Sequence, residues 1–179
     1  YRVKVSNTLC GTEKISGSSL VTVRGALDAG VLSVIDDQIC YSSFTTLSAN
    51  DVSGADGNYT YQWQYLDNSV GNWTNTGSSN SPSLSTGILN NDRSYRVIVN
   101  SGCNVTDISS TAAIDVADEF TIGNIQNGGT DTICYNTKPS TLTISGTGGR
   151  APYSYQWQRK LSSGTFWTNV GTNSASYTE

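Results

Sequence analysis

The sequence predicts an all-β chain made of tandem repeats, each a two-layered arrangement of short strands. Three observations predict it. The chain matches itself at an offset of about 94 residues. Its apolar residues alternate with period two in short runs. Its composition, rich in Ser, Thr, Asn and Gly, suits strands and turns better than helices.

The repeat is carried by ordered matches. Tyr61-Gln62-Trp63-Gln64 recurs as Tyr155-Gln156-Trp157-Gln158, and Ile39-Cys40-Tyr41 as Ile133-Cys134-Tyr135. Trp73-Thr74 recurs as Trp167-Thr168, and Tyr1-Arg2-Val3 as Tyr95-Arg96-Val97. Ile15, Val21 and Val23 follow Cys10 as Ile108, Ile114 and Val116 follow Cys103. Residues 1–24 therefore read as the last two strands of a preceding repeat. Residues 25–118 read as a complete repeat, and residues 119–179 as the N-terminal part of a following one. The chain is expected to be an excerpt from a longer tandem array. It shows no start Met, basic n-region or h-region, so no signal peptide is expected in it.

Within the complete repeat the elements follow in order. Gly30–Ile35 and Phe44–Ala49 read as strands, and Asn50–Gly57 as the Gly- and Asp-marked loop after them. Asn58–Leu66 is the clearest strand, with Tyr59, Tyr61, Trp63 and Tyr65 on one face and Thr60, Gln62 and Gln64 on the other. Gly71–Thr76 reads as a short edge strand and Ser83–Leu89 as another short strand. Ser94–Asn100 turns Tyr95, Val97 and Val99 inward, and Ile108–Val116 closes the unit. About seven short strands in about 94 residues fit an immunoglobulin-like β-sandwich. Trp63 then takes the place of the core Trp and Tyr95 that of the tyrosine corner. Val97 stands where antibody domains carry their second cysteine. The expected structural core is Tyr61, Trp63, Tyr95 and Val97, with Tyr155 and Trp157 in the next repeat.

Composition excludes several functions. Lys plus Arg number 10 and Asp plus Glu 14, a net charge of −4, which argues against nucleic-acid binding. There is no His, so triads that need it are excluded. No apolar run approaches the roughly 20 residues of a membrane helix. Asp36-Asp37 and Asp118-Glu119 lie at turns or junctions and read as solvated acids, so no catalytic residue and no cofactor are expected. The four cysteines contain no C-x-x-C pair, which argues for disulfides over a metal site. The first choice is a Cys40–Cys103 bridge within the complete repeat. The alternative links the corner of one repeat to the hairpin of the next, because these two places lie at opposite ends of a standard sandwich. Cys10 and Cys134 then either have partners outside this excerpt or pair with each other in an assembly.

The order Ile-Cys-Tyr, Tyr-x-Tyr-Gln-Trp-Gln, Trp-Thr, Tyr-Arg-Val and Cys resembles immunoglobulin-like repeats of very large Bacteroidetes surface proteins. These are type IX secretion cargo, including gliding-motility adhesins of the SprB type. Gly148-Gly149-Arg150-Ala151-Pro152-Tyr153-Ser154-Tyr155-Gln156-Trp157 is similar to their Gly-Gly-x-x-Pro-Tyr-x-Tyr-x-Trp signature. The matching segment Ala55–Trp63 lacks the Pro. The resemblance covers the whole chain. It implies export, surface attachment and a filamentous or stalk-like array, and it carries over no catalytic residue. Asp131-Thr132-Ile133 resembles the O-glycosylation site of the same bacteria, which marks Thr132. The N-glycosylation sequons at Asn58, Asn72 and Asn104 are expected to be bare in a bacterial protein.

Two further sets of residues each admit a binding reading and a plainer one. Trp73 and Trp167 offer flat faces to a sugar, or else they cover a sheet edge. Asn50, Asp51, Asp56 and Asn58 gather oxygens that suit Ca²⁺, or else they are ordinary turn residues. The expected function is a non-catalytic segment of an extracellular adhesin or stalk that transmits force. Its partners are neighbouring repeats, with surface glycans or other cell-surface proteins beyond them. A carbohydrate-binding module and a spacer of a secreted hydrolase are the alternatives.

Overall fold

A computed structural model describes residues 1–67, 71–77, 80–127 and 132–179. The all-β expectation holds: all regular structure is strand, with no helix among the described residues.

Residues 1–24 hold a hairpin of β1 (Lys4–Asn7) and β2 (Thr12–Ile15), with Lys4 opposite Ile15 and Asn7 opposite Thr12. The Asn7 side-chain oxygen turns the chain by accepting the N–H groups of Leu9 and Cys10, each at 3.1 Å. Every residue of this hairpin is exposed.

Residues 25–118 hold β3 (Val31–Val34), β4 (Gln38–Ile39), β5 (Thr46–Asn50), β6 (Tyr59–Asp67), β7 (Trp73–Asn75), β8 (Ser83–Ser85), β9 (Arg93–Ser101), β10 (Thr106–Ile108) and β11 (Ala112–Val116). One sheet has the order β3-β5-β8. The other runs β4-β11-β9-β6-β7, with β10 also pairing β9. Both sheets send side chains into one cluster: Leu47 from the first, and Trp63, Tyr95, Val97, Val99, Ile114 and Val116 from the second. The period-two pattern explains this directly, because alternate residues of β6 and β9 face the same layer.

Trp63 is fully buried, and its indole N–H donates to the Ser81 carbonyl at 2.9 Å, so its one polar atom is satisfied. Tyr95 and Val97 are also buried, while Tyr61 is half-buried against the same cluster. The Tyr95 hydroxyl makes no backbone bond of the tyrosine-corner kind; it lies near Arg93 and Tyr65. Burial raises its pKa above the ordinary phenol value, with Arg93 acting in the opposite sense.

Two details differ from the sequence reading. The closing strand is broken into β10 and β11 at Ser109. There the Ser109 hydroxyl accepts the Val97 N–H at 3.0 Å, and the Ser109 N–H donates to the Val97 carbonyl at 3.0 Å. In addition, β4 is a separate strand that runs parallel to β11, with Gln38 opposite Asp115 and Ile39 opposite Val116. Asp115 N donates to Asp37 O at 2.8 Å and Ala117 N to Ile39 O at 2.9 Å.

Residues 119–179 hold β12 (Thr121–Ile122), β13 (Leu142–Thr143), β14 (Gly146–Thr147), β15 (Trp157–Arg159), β16 (Thr168–Val170) and β17 (Ser176–Tyr177). They form three two-stranded ladders, β12-β14, β13-β17 and β15-β16. The contacts of the preceding repeat recur here. The Trp157 indole donates to Ser174 O at 2.8 Å, as Trp63 does to Ser81. The Tyr153 hydroxyl donates to Gly148 O at 2.6 Å, as Tyr59 does to Gly54 at 2.8 Å. Tyr155 N donates to Asn173 Oδ1 as Tyr61 N does to Asn80 Oδ1. Gly54 and Gly148 share a positive φ, and a Cβ on either would collide with a backbone carbonyl, of Ala26 or Glu119. Both are therefore close-approach glycines at the entry to a repeat.

The Cys40–Cys103 bridge is not formed: both thiols are free and exposed, as are Cys10 and Cys134. The reason is geometric. Cys40 follows Ile39 beside Ala117 and Leu89, at the end of the sheet where β9 begins. Cys103 follows β9, in the turn into β10. A nine-residue strand separates them, a span of about 30 Å, whereas a disulfide needs Cα atoms within about 7 Å.

Candidate functional site

The most distinctive surface lies on residues 119–179. Phe120, Ile122, Ile125, Ile144, Tyr153 and Trp157 line an open groove of about 400 Å³, and its exposed lining is mostly apolar. Its origin follows from the fold. In the complete repeat β6 pairs β9 along nine residue pairs, from Tyr59–Ser101 to Asp67–Arg93. Its counterpart β15 pairs only β16 among the described residues. The groove corresponds to the inner face that β9 to β11 cover in residues 25–118. Trp157 is 8% exposed and Tyr155 half-buried, while Ile122 is 68% exposed where its counterpart Ala29 is fully buried.

The two edge tryptophans differ. Trp73 on β7 is half-buried, and the Arg96 guanidinium lies 4.1 Å above its ring. Arg96 is itself fixed by donating from Nε to Gln64 Oε1 at 2.9 Å. One face of Trp73 is therefore covered by a cation. Trp167 is 62% exposed, with the Lys160 ammonium 5.4 Å from its ring centre. The two equivalent tryptophans do not come together in one site, and only Trp167 presents an open face.

The oxygen-rich loop does not gather into a cage. Asp56 accepts the N–H groups of Asn58 at 3.1 Å and Gly102 at 3.2 Å, and the Asn58 amide at 3.3 Å. Asn50 donates to Ser33 Oγ instead. The Asn58 backbone N–H holds the Asp56 carboxyl below the usual aspartate range. Lost hydration opposes this, and the Asn58 amide and the Gly102 N–H add to it. No group of three His, Cys, Asp or Glu residues that suits a metal occurs among the described residues. Thr132 is exposed; Asp131 of its motif lies outside the described residues.

The junction between the two repeats is also defined. Gly149 N donates to Asp118 O at 2.8 Å, as Ala55 N does to Gly25 O at 3.0 Å. Arg150 reaches across to Asp115 of β11, bonding its carbonyl at 2.8 Å and its carboxylate at 3.1 Å. Sequence reasoning missed Arg150 as a junction residue. Its signal was the charge change from Asp56 to Arg150 at equivalent positions.

The family described as Domain of unknown function (DUF8696) matches the chain over residues 29–118 and again over residues 123–179. No curated protein and no solved structure matches it.

Proposed function

Because the chain belongs to this domain family and is matched by it over two successive stretches, we propose that it is a load-bearing segment of an extracellular repetitive adhesin or stalk. In this reading each repeat is an immunoglobulin-like sandwich without catalytic function. The array spaces a distal binding region away from the surface of the cell that exports it.

The observation that carries this reading is the parallel pairing of β4 with β11. β4 follows β3 in the first half of the repeat and meets β11, the last strand, at the exit end, where Ile39 lies opposite Val116. Tension applied through the two chain ends pulls these parallel strands in opposite directions along their length. Their hydrogen bonds are then loaded together, in shear, instead of opening one by one. The low charge content and the many Ser, Thr and Asn residues fit a solvated, weakly sticky exterior.

Single-molecule pulling on the 179-residue chain tests the proposal. Residues 25–118 should unfold in one event that releases about 300 Å of contour length, from 94 residues at roughly 3.3 to 3.6 Å each. Gradual extension without a distinct force peak would remove the load-bearing role. A second reading is glycan recognition by stacking on Trp73 or Trp167. Glycan-array binding that is lost in Trp167→Ala would support it.

A further inference from the structure

Resting on the load-bearing reading above, we infer that residues 148–150 form a grip that keeps the exit end of the preceding β4–β11 pairing closed. The strength of that pairing then depends on the body that follows it.

The last residues of 25–118 are bonded to both bodies in turn. Asp115 N donates to Asp37 O at 2.8 Å and Ala117 N to Ile39 O at 2.9 Å, and both bonds extend the β4–β11 pairing. Asp115 also accepts from Arg150 Nη2, at its carbonyl at 2.8 Å and at its carboxylate at 3.1 Å. Asp118 O accepts Gly149 N at 2.8 Å. Ala117 thus lies between two residues that the second body holds. To peel Ala117 from Ile39, the second body must swing about this segment. That swing stretches the contacts between Arg150 and Asp115. Gly148 lets the loop come this near, since a Cβ there would collide with Glu119 O.

The consequence is mechanical. Tension that enters through the backbone alone loads the last bond first, so Ala117 lets go before Asp115 does. With Gly149 and Arg150 engaged, the load enters across residues 115–118 together, and the pairing is sheared instead of peeled. The side chain at position 150 decides this. Its counterpart Asp56 turns back into its own repeat, accepting the N–H groups of Asn58 at 3.1 Å and Gly102 at 3.2 Å. The counterpart of Asp115 is Thr22, which carries no charge. The backbone bond is common to both junctions, since Ala55 N donates to Gly25 O at 3.0 Å. The grip is therefore added by the Asp115–Arg150 pair. In an array, unfolding of one gripping body loosens the body before it, so failure spreads toward the N-terminal side.

Hydrogen exchange followed by NMR, amide by amide, on the full 179-residue chain tests the grip without applied force. Its outcome is therefore separate from that of the pulling experiment. Arg150→Ala should speed exchange at the Ala117 amide by roughly three- to tenfold, the protection that one hydrogen bond supplies. The Val97 and Val99 amides in β9 should keep their rates. Asp115→Asn removes the charge from the other side and leaves the carbonyl in place, so it should speed the Ala117 amide by less. Equal Ala117 rates in the unmodified chain and both variants overturn the grip, and the load-bearing reading then stands or falls by its own force peak. An increase shared equally by Ala117, Val97 and Val99 also overturns it, because Arg150 would then support the whole fold and not this pairing.

Discussion

At the scale of single residues, Trp63 and Asp56 show how much one side chain decides. Trp63 is fully buried, hydrogen-bonded through its only polar atom, and touched by strands of both sheets. Trp63→Ala should cost about 3 to 5 kcal/mol, measured by urea titration; a loss below about 1 kcal/mol would show that the cluster does not depend on it. Asp56 acts through charge. Its carboxyl is held below the usual aspartate range mainly by the Asn58 N–H. A group whose folded pKa is depressed adds stability above its unfolded pKa and loses it as pH falls through the folded value. The unmodified chain should therefore exceed Asp56→Asn in stability at neutral pH, and the gap should close below about pH 4. A gap that stays constant from pH 7 to pH 2 would show that hydrogen-bond geometry, not charge, is responsible.

At the scale of elements, the long strands were legible in the sequence and the short ones were not. Nine residues of alternating aromatic and polar side chains leave little choice for β6, and the run from Tyr95 to Val99 did the same for β9. β4 has two residues, too few for any period to register, and it exists because β11 offers it a parallel partner. The break at Ser109 was hidden for a related reason: a hydroxyl that replaces a backbone partner leaves the apolar pattern intact. The cysteines mark another limit. Their spacing names the loops that carry them, but only strand direction says at which end of the sheet each loop lies. Because Cys40 and Cys103 sit at opposite ends of β9, non-reducing peptide mapping should find no Cys40–Cys103 link. A linked Cys40–Cys103 peptide pair would require a different strand order at one end of the repeat.

At the scale of the whole molecule, the proposed stalk would owe its stiffness to the junction between residues 25–118 and 119–179. The backbone bond from Gly149 to Asp118 places the second body, and Arg150 ties it to Asp115 through a carbonyl and a carboxylate. The ion pair is partly exposed, so its worth to stability is small, on the order of 0 to 1 kcal/mol. Its effect is on orientation, because removing it deletes two bonds that span the hinge and leaves each body's core untouched. Arg150→Ala should shift thermal unfolding of residues 25–118 by no more than a surface substitution does. The same variant should broaden the distribution of distances between spin labels placed on the two bodies. High salt should broaden that distribution in the parent, but less, since the bond to the Asp115 carbonyl survives screening better than the ion pair. A distribution unchanged by Arg150→Ala would place the stiffness in the short connection from Val116 to Phe120 alone. Tension would then pass between repeats through one strand of backbone, and the pulling force that separates the bodies would no longer depend on the side chain at position 150.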